Sequence, residues 1–159
     1  MRRCGMLLPV ASLPSRYGIG AFSKEAYEFV DQLKEAGQQV WQILPLGPTG
    51  FGDSPYQSFS AFAGNPYFIS LEDLIEEGVL TREECAQADP EVQEDSIDYA
   101  KLYEERYPLL RLAYERSDIS KNADFVRFCK ENDWWLSDYA LFMAVKARFG
   151  GKAWTKWAQ

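Results

Sequence analysis

The sequence predicts an α/β fold in which one strand–helix–strand unit leads into a run of helices. Three observations carry that prediction. Residues 6–10, MLLPV, and 39–44, QVWQIL, are short apolar runs ended by proline and glycine punctuation. Between them Ala26, Phe29, Val30, Leu33 and Ala36 recur at helical spacing. Beyond residue 70 the apolar residues keep the helical period, and no clear third strand follows.

Taken in order, residues 6–10 read as a buried strand feeding the loop SLPSRYGIGAF, punctuated by Pro14, Gly18 and Gly20. Ser23 suits an N-cap and Glu25 the first helical turn, so a helix is expected over 23–36, with Gly37 as its stop. The second strand, 39–44, is almost continuously apolar, which suits a sheet covered on both faces. Strand, helix, strand in this order implies a parallel pair. A short helix is expected over 71–77, stopped by Gly78, and Thr81 with Glu84 forms a capping box for another. Residues 87–98 are acidic and loop-like. Tyr99, Leu102, Tyr103 and Arg106 then return to helical spacing, with Pro108 placed to kink or split the helix. Asp124 opens a further amphipathic turn. Asp133 is expected to cap a strong helix carrying Trp135, Leu136, Tyr139, Phe142 and Met143, which Gly150 and Gly151 stop. Two parallel strands make no sheet that stands alone, so the inventory predicts a truncated chain or one that needs a partner.

Composition narrows the function. The 159 residues carry 17 Lys and Arg against 24 Asp and Glu, a net charge of −7. That argues against nucleic acid and anionic membrane, both of which require clustered basic residues. No run is long enough to span a bilayer. The N-terminal MRRCGMLLPVASLPS has the arginines of a signal peptide, but Pro9 and Pro14 break its apolar run, which argues against secretion. Cys4, Cys85 and Cys129 are scattered and odd in number, as in a reducing, cytoplasmic compartment. No histidine is present, so a Ser-His-Asp triad, a Cys-His dyad or a His-ligated metal cannot be built from this chain. No metal site and no organic cofactor are expected.

The stretch 48–67, PTGFGDSPYQSFSAFAGNPY, begins at the C-terminal end of the second strand, the edge where parallel α/β folds bind ligands. Gly50, Gly52 and Gly64 permit tight turns and close approach. Asp53, Ser54, Gln57, Ser58, Ser60 and Asn65 offer donors and acceptors, and Phe51, Tyr56, Phe59 and Phe62 offer flat apolar faces. A carbohydrate asks for this combination of polar groups on an aromatic wall. Phe59 and Phe62 read equally well as plugs of a self-packed loop. Tyr56 and Ser54, in the tightest turn, favour ligand contact. Gly50-Phe51-Gly52 is no phosphate-binding signature.

The strings GMLLPVASLPSRYGIGAF, AYEFVDQLKEAGQQVWQILPLGPTGFGDSPYQSFSAFAGNPYFISLEDL and WWLSDYALFMAVK closely resemble the N-terminal part of the 4-α-glucanotransferases, the amylomaltase or disproportionating-enzyme family, along essentially the whole chain. That resemblance implies the first strands of a (β/α)8 TIM barrel plus a mostly helical inserted subdomain, an incomplete barrel, since a whole one takes about 250 residues. Residues 1–70 would be the barrel portion with its substrate loop and 71–159 the helical insertion. It implies a retaining transfer of α-1,4-glucan segments between maltooligosaccharides, or to glucose as acceptor. The catalytic carboxylates lie later in such chains and none maps onto these residues, so no catalytic residue is expected here. Matching the family's motif, Ser54 and Tyr56 would line the donor-side glucose sites, with Asp53 and Gln57 near them. Tyr103 matches an aromatic of a secondary surface glucan site in some members. The usual partner there is a tyrosine where this chain has Phe51, which keeps the ring and loses the hydroxyl.

Two other classes compete. A non-catalytic maltooligosaccharide-binding module is suggested by the aromatic loop and the absent acids. A helical interaction domain rests on the second half alone, whose Arg111, Glu115 and Lys146 read as ordinary solvated charges.

Overall fold

The computed structural model describes residues 2–50, 52–88 and 96–157. These fall into two compact units, residues 1–117 and 118–159. This is a division by compactness within the chain and leaves aside where a barrel portion would end.

The first unit opens with the expected parallel pair. Strand β1 (Gly5–Leu7) runs beside β2 (Val40–Gln42), with Gly5 opposite Val40, Met6 opposite Trp41 and Leu7 opposite Gln42. Both strands are shorter than the apolar runs that announce them. Leu8 still donates to the Gln42 carbonyl at 3.0 Å and Gln39 to that of Cys4 at 2.9 Å. Pro9 then ends β1: it has no N–H and a φ of −60°, and the chain turns into a 3-10 segment, Val10–Ser12. With no partner beyond Leu8, β2 stops two residues before the expected Leu44. The expectation of a sheet covered on both faces is also corrected. Met6 is 47% and Leu7 55% exposed. The residues are those of an interior strand, but among the described residues the sheet has two strands and no layer packs over Met6 and Leu7 closely enough to bury them.

Helix α1 (Lys24–Glu35) connects the strands and buries Ala26 and Leu33. Ser23 occupies the N-cap position in extended geometry, but its hydroxyl donates to the Glu25 carboxylate instead of accepting a helix amide. Gly37, at φ +70°, ends the helix, with Gln38 donating to the Leu33 carbonyl at 2.8 Å. The core beneath this unit gathers Val10, Leu13 and Ala26 against Phe29, Trp41 and Phe68. Trp41 is locked twice: its ring meets Phe29 edge to face at 5.1 Å, and its indole donates to the Leu8 carbonyl at 2.8 Å. Gly20 is required by close approach, since a Cβ there would collide with the Val10 carbonyl.

Helices α2 (Leu71–Glu76) and α3 (Arg82–Cys85) follow, then α4 (Tyr99–Arg116). Ser70 caps α2, its hydroxyl accepting from Asp73 at 3.1 Å. The capping box at Thr81 and Glu84 is present in both directions. Pro108 neither splits nor ends α4. It sits on the exposed face, as does Glu104, whose carbonyl loses its helical partner to the proline and can turn to water. A second core cluster packs Tyr17, Leu71, Leu80, Cys85 and Ala113, and a third joins Ile19, Tyr67 and Leu102.

The second unit contains α5 (Ala123–Glu131) and α6 (Asp133–Arg148), followed by a 3-10 turn, Trp154–Lys156. Asn122 caps α5 through bonds from Asp124 and Phe125 at 2.8 and 3.1 Å. The cap expected at Asp133 falls one residue earlier, on Asn132, whose side-chain oxygen is taken by the Trp135 indole at 3.0 Å. No residue of either helix is buried. Trp157 stacks on Phe149 at 5.7 Å and leans on Phe142 at 5.6 Å. Gly150 and Gly151, both at positive φ, end α6 as expected. Cys4, Cys85 and Cys129 are free thiols.

One ion pair ties the end of α4 to α3. Arg116 grips both oxygens of Glu84, at 2.6 and 2.8 Å, and also reaches the Val79 carbonyl. Arg116 first, and the Thr81 amide second, pull the Glu84 carboxyl down to about 2 from an ordinary 4.5. Because folding lowers this pKa, the pair contributes fully above pH 4.5 and fades as pH falls through about 2. Glu84→Gln should therefore melt earlier than the parent at neutral pH and converge with it over that window. Melting profiles that stay parallel through the acid range would remove Glu84 from the acid response.

Candidate functional site

A cavity of about 200 Å³ lies at the carboxyl ends of both strands. Its floor comes from Pro9 to Ser12, after β1, and from Leu44 to Leu46, after β2. Phe68 and Pro55 close one side, and Ile97 with Tyr99, at the start of α4, close another. The position follows from topology: parallel strands deliver both chain exits to the same edge. Its lining is mostly apolar, with the Tyr99 phenol and Ser12 among its polar members.

The loop 48–67 follows β2 and contributes Pro55 to the cavity wall. Its two ends are drawn together by Asn65 donating to the Leu46 carbonyl at 2.8 Å. Inside it, several polar side chains expected to meet a ligand instead hold the loop. The Ser58 hydroxyl donates to the Ser60 carbonyl at 2.7 Å. The Ser60 hydroxyl accepts from Phe62 and Ala63 at 3.1 and 3.0 Å. Asn65, buried, accepts from the Tyr67 amide at 3.0 Å. Gly50 sits against Phe59: a Cβ there would lie 2.7 Å from the Phe59 ring, which would have to shift. Phe59 thus packs within the loop, and Phe62 is 59% exposed.

The structure brings Asp53, Ser54, Tyr56 and Gln57 together on one tight turn beside Pro55 of the cavity wall. Gln57 donates to the Ser54 carbonyl at 3.1 Å, and the Tyr56 amide to the Ser54 hydroxyl at 3.3 Å. Among the described residues the Ser54 hydroxyl accepts this bond from the Tyr56 amide. Tyr56 is 72% exposed and presents its ring to solvent. Asp53 is half-buried and holds φ +52°, the single left-handed non-glycine among the described residues. An aspartate tolerates that geometry better than most residues. Burial pushes its carboxyl pKa up.

Tyr103 is 60% exposed on α4 and offers a stacking face. Its ring lies 5.1 Å from Tyr107, which lies 5.7 Å from Tyr67, which lies 6.1 Å from Tyr99. Phe51, the expected partner of Tyr103, lies outside the described residues. Burial, then its tyrosine neighbours and Asp53, raise the Tyr67 phenol, and burial and Asp53 raise that of Tyr99. The Asp53 charge is therefore felt by a wall of the cavity. The four-residue spacing of Tyr99, Tyr103 and Tyr107 is visible in the sequence as a stripe, but its meeting with Tyr67 is not.

Arg106 was also legible only in part. It shares the apolar face of α4 with Leu102 and Ala113, and it is 1% exposed. Its guanidinium donates to the Tyr17 carbonyl at 3.4 Å and to the Ile69 carbonyl, while Nε finds no partner among the described residues. Burial lowers its pKa to about 10. Among the described residues, no cluster of His, Cys, Asp and Glu is placed to hold a metal, and no helix is long and apolar enough to cross a membrane.

By architecture, then, the described residues form an α/β piece with two parallel strands, many helices and a small hollow at the strand ends. The family model for 4-alpha-glucanotransferase, glycoside hydrolase family 77, matches residues 8–159, and the chain belongs to that family. A 4-alpha-glucanotransferase of Thermus thermophilus is 48% identical over 98% of this chain, and one of Streptococcus pneumoniae TIGR4 is 47% identical over 98%. The chain spans about 31% of the length of these curated relatives. Among solved structures, the amylomaltase from Streptococcus agalactiae in complex with acarbose matches with a TM-score of 0.88. It is 42% identical, with 99% of this chain and 32% of that one covered.

The raised Asp53 pKa carries a sign. The fold disfavours its charge, so stability declines as pH rises above the unfolded value of about 3.8. Asp53→Asn keeps a residue suited to φ +52° and removes the charge. It should raise the melting temperature at pH 7 by a few degrees at most, and the gain should vanish below about pH 3.8. A variant that melts lower at neutral pH would mean that the carboxylate makes a stabilising contact.

Proposed function

We propose that this chain is the N-terminal part of a 4-α-glucanotransferase that moves α-1,4-glucan segments between maltooligosaccharides, or onto glucose. The observation that carries the proposal is the family match over residues 8–159, joined to a cavity at the strand ends beside the loop that bears Tyr56. Residues 1–70 would supply the first strands of a (β/α)8 barrel and the substrate loop, and 71–159 a helical insertion. The exposed Met6 and Leu7 fit that reading, because further barrel strands would cover them. They also weigh against a stand-alone binding module, which would leave an open apolar sheet edge in water.

Retaining transfer uses a carboxylate nucleophile and a carboxylic acid about 5 Å apart, across the scissile bond. Those groups belong to the remainder of the protein. The residues of this chain bind and orient. Tyr56 would stack on the apolar face of a donor glucose, while Ser54 and Gln57 would meet its hydroxyl rim and Asp53 would shape their turn. The Streptococcus agalactiae amylomaltase that matches in structure is in complex with acarbose, which supports a carbohydrate ligand for this fold. Tyr103 with Phe51 would form a secondary glucan site. The compartment would be the cytoplasm, and the pathway class glycogen or starch breakdown to maltodextrin.

The full-length protein should convert maltotriose into glucose and longer maltodextrins, followed by chromatography of the products. Tyr56→Ala should reduce kcat/KM by roughly tenfold or more, about the worth of one stacked aromatic contact. Unchanged turnover in that variant would remove Tyr56 from the site, and a parent that makes no glucose from maltotriose would sink the proposal.

A further inference from the structure

We infer that Arg106 is a positioning residue that holds the walls of the strand-end cavity in register. It sits on the buried face of α4, seven residues after Tyr99, which lines the cavity. Its two terminal nitrogens reach carbonyls from two separate stretches of chain. Tyr17 belongs to the loop after β1, and Ile69 follows the 3-10 segment Pro66–Phe68 that closes the 48–67 loop. The same two stretches touch directly where Phe22 donates to the Phe68 carbonyl at 3.1 Å and their rings meet edge to face at 6.2 Å. Phe68 is itself a cavity wall.

Burying a guanidinium costs several kcal/mol unless its protons are matched. Here the two terminal nitrogens are matched by main-chain carbonyls while Nε has no partner among the described residues, so the side chain does more than neutralise a charge. A carbonyl has a fixed place along the backbone, and a planar fork spanning two of them sets the distance between their segments. The carbonyl of Tyr17, a residue only 2% exposed, gains in Arg106 a donor inside the protein, and the more exposed Ile69 is tied to it by the same fork. One side chain thereby links α4, the β1–α1 loop and the exit of the long loop, the three stretches that carry the cavity residues Tyr99, Ser12 and Phe68. The inference rests on the transferase reading only for its kinetic arm.

The test uses the full-length protein with Arg106→Met, Arg106→Lys and, as a control, Leu80→Ala, a core truncation in the cluster around α3. Backbone hydrogen exchange is followed at Gly20, Phe22, Asn65 and Ile69, and at Cys85 for comparison. Arg106→Met should speed exchange at the first four by tenfold or more and leave Cys85 within twofold. Leu80→Ala should do the reverse. Arg106→Lys, which keeps the charge but cannot span both carbonyls, should fall between, and it is the variant read if the methionine protein does not fold. In maltotriose disproportionation, Arg106→Met should raise KM about tenfold with kcat within threefold, and Leu80→Ala should move neither. Uniform acceleration at all five amides, or none, would overturn the inference, as would a KM that follows Leu80→Ala. Absence of activity in the parent would count against the transferase reading alone, and the exchange arm would still decide the role of Arg106.

Discussion

Every functional feature of this chain hangs from the pairing of two three-residue strands. Parallel pairing makes β1 and β2 release the chain at the same edge, and that edge is where the cavity forms. The pairing depends on closeness at its start: a side chain on Gly5 would collide with the Val40 carbonyl. It is reinforced where it ends, by the Trp41 indole on the Leu8 carbonyl. Beyond that point Pro9 forbids another rung and turns the chain into the cavity floor. The residue that stops the strand thus begins the site.

The walls are set by a different kind of force. Around Tyr67, aromatic rings meet at 5.7 to 6.1 Å, tilted or edge to face, which is the arrangement their quadrupoles favour. Such contacts position flat surfaces without consuming hydrogen bonds. Polar side chains in the same region have more local tasks. Ser58, Ser60 and Asn65 replace the secondary structure that the long loop lacks, each satisfying a neighbouring amide or carbonyl. The division of labour is clear: aromatics shape the hollow, and small polar residues keep the loop from unfolding.

Much of this was legible in the sequence because it depended on local chemistry. The strand–helix–strand order, the capping box at Thr81 and Glu84, and the stops at Gly37 and Gly78 rest on spacing and backbone rules that act within a few residues. Strand lengths were less legible, because a ladder needs a partner and residues 43–44 have none in β1. The polarity of Ser58 and Ser60 was visible, but not whether a ligand or the loop itself would engage it. Arg106 shows the limit most clearly. Its place on the apolar face of α4 could be counted, yet its carbonyl partners lie 37 and 89 residues away. The grouping of Asp53, Ser54, Tyr56 and Gln57 needed no long-range information, since one turn contains all four.

The internally stitched loop has a consequence for how this protein can vary. Positions 58, 60 and 65 answer to architecture, so change there is filtered by folding before any ligand is met. Tyr56 and Gln57 project from a turn whose bonds are made by backbone and by Ser54. Side chains at 56 and 57 can therefore drift or be diversified with little structural penalty. The loop thus separates positions held by its own architecture from an exposed turn that tolerates change in small steps.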